Sequence, residues 1–122
     1  MQNDLFSMEG KTVVFTGGCG NLGKVMVKAL LDYGANVAVP NRTDRFDASY
    51  DAYKAAGKAG VIRFTRTCAS QLACRNIRVN SITPASNIEF IGRLSKKPMM
   101  KRTGKAEELN GAILLLASNA SS

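Results

Sequence analysis

Residues 11–23, KTVVFTGGCGNLG, constrain the fold more than any other part of the chain. The apolar run at residues 12–15 reads as a buried strand. It opens directly into Gly18-Cys19-Gly20-Asn21-Leu22-Gly23, a complete G-x-G-x-x-G. Beyond it Leu22, Val25, Met26, Ala29, Leu30 and Tyr33 recur at steps of three and four, the period of a helix with one apolar face. Glycines let the backbone turn sharply and come close to a pyrophosphate. The helix start then offers unpaired N–H groups and a positive dipole end to the anion. The motif alone is a weak signal; a strand before it and a helix after it point to dinucleotide binding.

The next stretch completes a β-α-β unit. Gly34 is placed to stop the helix in a left-handed cap, and residues 35–39 read as a second short strand. In such units the residue closing the second strand reads the adenosine ribose: an acid accepts from the 2′-hydroxyl, whereas an arginine accommodates a 2′-phosphate. Here the strand closes on Pro40-Asn41-Arg42, with no acid before Asp44. NADP(H) is therefore favoured over NAD(H), the alternative being that Arg42 is only a solvated surface charge.

At 122 residues the chain reads as one domain, and a hydrophobic share of 45% is enough for a packed core. It has no apolar run of the roughly 18 residues a membrane span needs, so no membrane association is expected. Residues 1–10 lack the basic and apolar regions of a signal peptide. Cys19, Cys68 and Cys74 form no C-x-x-C and no disulfide ladder, which points to a reduced, cytoplasmic chain. Cys19 sits near a helix start that would favour its thiolate, or is simply a tolerated turn residue. The absence of histidine excludes a histidine-based triad and a His-ligated zinc, and no metal site is expected. The formal charge is +8, and residues 58–105 hold eleven Lys or Arg against one acid, Glu89. These cations are scattered, with no aromatic interleaving, so they imply a general attraction for anionic cofactors rather than a nucleic-acid partner.

Three blocks resemble the short-chain dehydrogenase/reductase family. TVVFTGGCGNLGKVMVKALLDYGANVAV is similar to its cofactor-binding start, KAGVIRFTRTCASQLACRNIRVNSITP to its long central helix and following strand, and KRTGKAEELNGAILLLASNAS to the segment before its last strand. Their physics agrees. Val61, Phe64, Thr65, Cys68 and Leu72 share a helical face, Arg75-Asn76 breaks the helix, and residues 77–82 alternate like a strand. Ala106-Glu107-Glu108 starts a helix with acids in its first turn, and Leu109, Ala112, Ile113 and Leu116 form its stripe. The resemblance implies an α/β fold, a Rossmann-like doubly wound parallel sheet, incomplete in this chain. It also implies an NAD(P)(H)-dependent oxidoreductase that moves hydride between nicotinamide and a carbonyl or alcohol. A tie to gluconate or other sugar-acid oxidoreductases is one expectation, and homo-oligomerisation through the central helix another.

Carried over residue by residue, Gly17, Gly18, Cys19, Asn21 and Leu22 line the pyrophosphate, and Gly23 packs helix on strand. Asn41 and Arg42 take the adenosine ribose, and Pro84 and Ala85 lie beside the nicotinamide, Ala85 replacing the family's glycine. The family's catalytic pair is Tyr-x-x-x-Lys. Tyr50-Asp51-Ala52-Tyr53-Lys54 matches it literally. The downstream register instead makes Lys58 the equivalent lysine, which puts Lys54 at the tyrosine position. Tyr50 then becomes a packing residue, with Phe46 and Tyr53, on a helix that Thr43 or Asp44 caps and Gly57 stops.

Family members run to about twice this length. Their Asn-Asn-Ala-Gly, the serine after the fifth strand and the closing Asp-Gly-Gly are not found here. The single NAD(P)-binding domain of residues 1–122 thus reads as spliced at Gly57–Lys58, with a smaller seam near Asn87–Ile88, and as stopping before the last strand. Two readings stay open. One is an oxidoreductase whose remaining segments lie outside this sequence. The other is an inactive dinucleotide-binding or structural remnant that lacks the catalytic tyrosine and serine.

Overall fold

Strands β1 (Thr12–Val14) and β2 (Asn36–Ala38) run parallel, with Thr12 opposite Asn36, Val13 opposite Val37 and Val14 opposite Ala38. A parallel pair needs a crossover rather than a hairpin, and helix α1 (Asn21–Asp32) supplies it. The computed structural model describes residues 5–40, 57–84 and 102–121, together with the backbone of 51–56 within a helix. The architecture is α/β, and the chain divides into two units: residues 1–41 with 84–122, and residues 42–83.

In the first unit α1 buries Gly23, Met26, Ala29 and Leu30, with Leu22 and Val25 half-buried beside them. Tyr33, expected on the same stripe, is 45% exposed because it is the C-cap, where the backbone leaves the helical path. The cap is a Schellman motif. The Ala35 N–H donates to the Leu30 carbonyl and the Gly34 N–H to that of Leu31, each at 3.0 Å, with Gly34 at φ 93°. The core is Met8, Leu30, Ala35 and Leu114, with Val13, Phe15, Val37, Ile113 and Ala117 packed against it. One sheet face is thereby covered. On the other, Thr12, Val14, Asn36 and Ala38 are exposed, Val14 to 68%, so β1 is a half-buried strand, one residue shorter than the fully buried one expected over residues 12–15.

The C-terminal segment of this unit begins with a 3-10 turn, Ala106–Leu109, and continues as helix α3 (Asn110–Ala117). Three residues per turn at the start rotate the helix face away from an all-α extrapolation. Leu114 becomes the buried centre, while Ala112 of the expected stripe is exposed. The turn is clamped from outside. The Arg102 guanidinium donates to both carboxylate oxygens of Glu108, at 2.7 and 3.0 Å, and the Lys105 N–H donates to Glu108 Oε2 at 2.8 Å. Lys11 Nζ reaches Asn119 Oδ1 at 2.7 Å, tying the segment before β1 to the one after α3.

The second unit is built on α2 (Asp51–Leu72), which passes through Gly57 instead of stopping there. One helical glycine costs about 1 kcal/mol, and the alanines and lysines on both sides outweigh it. Thr65, Cys68 and Leu72 of the expected apolar face are half-buried, but Val61 is 53% and Phe64 68% exposed. A 3-10 turn, Ala73–Arg75, comes next, and Asn76 ends it in the left-handed region at φ 56°. The Ile77 N–H donates to the Leu72 carbonyl at 3.3 Å and the Asn76 N–H to that of Ala73 at 3.0 Å, a second Schellman closure. Residues 77–82, read from their alternation as a strand, are irregular, as are the two that follow. Alternation marks a strand only where a ladder partner exists, and this segment has none among the described residues.

Two left-handed caps and one ion pair generate predictions. Gly34→Ala forces an L side chain into positive φ and brings its Cβ within 3.0 Å of Glu9 Cγ. It should lower stability by about 1–2 kcal/mol in thermal or urea unfolding. Asn76→Ala should cost about 1 kcal/mol, and Asn76→Gly should not. The Arg102 guanidinium, and after it the Lys105 N–H, hold the Glu108 carboxyl below the ordinary carboxylate range. Its folded pKa lies below its unfolded one, so the clamp contributes fully above that range and is lost as pH falls through the lowered value. Glu108→Gln should therefore remove part of the acid destabilisation seen below about pH 4, and high salt should mask the difference.

Candidate functional site

The glycine loop leaves the C-terminal end of β1. The Phe15 N–H donates to the Ala38 carbonyl at 2.8 Å, which keeps the loop's entrance attached to β2. Gly17 then takes φ 80°, a left-handed conformation that favours glycine. The Gly20 N–H closes the turn on the Gly17 carbonyl at 3.1 Å. Gly20 is the N-cap of α1 at φ −74°, ψ 167°, and no side chain caps the helix. The Lys24 N–H is bonded to the Gly20 carbonyl at 2.9 Å. The N–H groups of Asn21, Leu22 and Gly23 precede that first intrahelical donor and are the open donors of a helix start.

Close approach, not turning, explains the other two glycines. A Cβ on Gly23 would run into the Gly17 carbonyl oxygen and lie 2.8 Å from Gly18 Cα. Gly23 is buried, and the first turn of α1 is pressed against the loop backbone. A Cβ on Gly18 would lie 2.7 Å from Val39 Cγ1 and 3.0 Å from Val27 Cγ2. A side chain at either position would collide with the protein itself, so the loop backbone packs directly against α1 and the end of β2. The first turn of α1 carries no acid, so nothing there offsets the positive end of the helix dipole. Bare backbone N–H groups, a positive dipole end and no carboxylate are the donor set that fits a pyrophosphate.

Of the residues expected at the site, Gly17, Gly18, Cys19, Asn21, Leu22 and Gly23 come together on this loop and helix start. Cys19 is an exposed free thiol, and Asn21 is exposed beside half-buried Leu22. Lys58 is exposed on α2, in the other unit. The α2 backbone sets it one turn after Lys54, whose side chain lies outside the described residues, as do Tyr50, Asn41, Arg42 and Ala85. Pro84 is half-buried. Val27 and Val39 were not anticipated in the sequence: Val27 falls outside the apolar stripe read for the helix, and membership of the second strand says nothing of a contact between Val39 and Gly18. Among the described residues no group of acids and cysteines could hold a metal ion, and no helix is long and apolar enough to cross a membrane.

The site geometry predicts that Gly23→Ala disrupts the loop even without ligand. With backbone on the far side of the clash nothing flexible can give way, so a loss of several kcal/mol is expected, about the scale of a severe overpacking defect, measurable as a fall in Tm.

Residues 42–122 match the family model described as enoyl-(acyl carrier protein) reductase. That match begins beyond the glycine loop, so the loop is a separate signal. The chain is 43% identical over 77 residues to the 3-oxoacyl-[acyl-carrier-protein] reductase of Thermotoga maritima, covering 56% of this chain and 31% of that protein. It is 30% identical over 113 residues to the enzyme of that name from Chlamydia pneumoniae, covering 85% of this chain and 45% of that one. To the "Probable galactose dehydrogenase" of Rhizobium meliloti it is 37% identical over 81 residues, covering 57% and 31%. The chain thus spans between 31% and 45% of the length of these relatives. No solved structure matches. With two thirds of its length inside the family model, and its glycine loop and helices in the family's order, the chain belongs to the short-chain dehydrogenase/reductase family.

Proposed function

We propose that the chain is the nicotinamide-dinucleotide-binding part of an oxidoreductase that interconverts a carbonyl and an alcohol, with NADP(H) preferred over NAD(H). One observation carries this: the Gly17–Gly23 backbone cradle opens onto an uncapped, acid-free start of α1 inside a parallel β-α-β unit. Gly17, Gly18, Cys19, Asn21 and Leu22 bind the pyrophosphate, and Gly23 keeps the helix against the loop. Asn41 and Arg42 hold the adenosine ribose end, where the absence of an acid before Asp44 favours a 2′-phosphate. Lys58 holds the nicotinamide ribose, and Pro84 and Ala85 border the nicotinamide. When bound, the cofactor supplies or accepts the hydride. Substrates of the 3-oxoacyl or sugar type are suggested by the relatives' names; sugar acids enter only through the resemblance seen in the sequence. A homo-oligomer in the cytoplasm, with residues 1–122 as one domain spliced at Gly57–Lys58, completes the reading.

A second reading is a catalytically inactive remnant. In the register that makes Lys58 the family's lysine, Lys54 stands where the tyrosine acid/base belongs, and a lysine in that place cannot act as the tyrosine does.

Fluorescence titration with NADPH and NADH tests binding. NADPH should bind at least about tenfold more tightly, about 1.4 kcal/mol, and Arg42→Ala should erase that preference. Turnover with a 3-oxoacyl thioester and a sugar panel separates the two readings. Binding without turnover supports the remnant. Turnover lost in Tyr50→Phe but kept in Lys58→Ala would show the literal Tyr50/Lys54 pair to be the catalytic one.

A further inference from the structure

Val39 is the last residue before Pro40 and lies just past the end of β2. Both of its methyl groups face the glycine loop: a Cβ on buried Gly18 would lie 2.7 Å from Cγ1 and 3.1 Å from Cγ2. Its backbone is restricted twice over, by the β1–β2 ladder that ends one residue earlier and by the following proline, which disfavours helical ψ at the preceding residue. Its side chain is β-branched and stiff at χ1. The side chain is therefore a short, rigid spacer between two parts of the site. On one side is the loop backbone proposed to hold the pyrophosphate. On the other is the end of the second strand, where such units meet the adenosine ribose.

We infer that Val39 is a positioning residue, setting the gap between the pyrophosphate end and the adenosine end so that one dinucleotide engages both. The inference rests on the dinucleotide-binding reading above. A ligand that bridges two subsites gains from their fixed separation, whereas a ligand that fills one does not. Val27 supports the same loop from α1, its Cγ2 lying 3.0 Å from a Cβ on Gly18, but it lies in the middle of a helix and not at the end of the second strand.

The experiment compares the full-length chain with Val39→Ala and Val39→Thr, the latter keeping the shape, using NADPH as a probe of both ends and 2′-AMP as a probe of one. Val39→Ala should raise the NADPH Kd about tenfold or more and change the 2′-AMP Kd by less than about twofold; Val39→Thr should bind both as the unaltered chain does. Equal losses for the two probes, or no loss for NADPH, overturn the positioning role. Absence of NADPH binding by the unaltered chain is a different result: it defeats the dinucleotide reading itself. A cofactor-free measurement addresses the contact. Gly18→Ala should lower Tm, and adding Val39→Ala should recover most of it. If the double variant melts no higher than Gly18→Ala, Val39 does not define the space beside the loop and the inference fails.

Discussion

Leu30 holds two jobs that the first unit cannot separate. Its side chain is fully buried and meets Met8, Ala35 and Leu114, which come from the segment before β1, the approach to β2 and α3. Burying such a side chain contributes about 1.5–3 kcal/mol. Its carbonyl accepts the Ala35 N–H, the bond that ends α1 and turns the chain toward β2. The same residue thus sets the depth at which α1 lies on the sheet and the point at which it stops. Since β2 must start where α1 ends, the register of Thr12 against Asn36 depends on it.

The glycine loop sits at the opposite end of α1 and inherits that placement. Three glycines answer three separate demands. Gly17 turns, Gly18 makes room for Val39 and Val27, and Gly23 lets the helix meet the Gly17 carbonyl. Were α1 held further from the sheet, only the first demand would remain. The closeness of helix, loop and strand end leaves backbone N–H groups at the helix start, with Cys19 and Asn21 exposed beside them, as the surface presented to a ligand. That surface suits a polyanion whose oxygens accept many short bonds.

The second unit illustrates the other limit. Its helix keeps the sequence pattern of a buried element, yet Val61 and Phe64 are exposed. Isolated helices draw little stability from propensity alone, and two threonines here bond back to their own helix, Thr65 to the Val61 carbonyl and Thr67 to that of Arg63. The apolar face of α2 fits a family member whose relatives are more than twice as long as the aligned part of this chain.

Much of the first unit was legible in the sequence because its constraints are local. Positive φ disfavours most side chains and backbone contact excludes them, so glycine and asparagine advertise such positions, and the helix stops at Gly34 and, in the second unit, at Asn76 could be read from residue type. The period of α1 was legible for the same reason: its apolar positions all lie within one short stretch of chain, and only Tyr33 departed, at the cap. Three things were not legible. The 3-10 start of α3 moved the buried position to Leu114, since a change of winding leaves no mark on apolar spacing. Residues 77–82 alternate like a strand but pair with none of the described residues, because pairing depends on a partner elsewhere in the chain. Gly57 does not stop α2, because the same residue type serves as a cap or an interior position according to the helix-forming strength of its neighbours. The sequence by itself determined the β-α-β order, the turn chemistry and the anion-ready loop, all effects of bonds and contacts within a few residues. Only the tertiary structure decided that Val39 meets Gly18 and that Lys11 meets Asn119, since those contacts join residues far apart in the chain that only packing brings together.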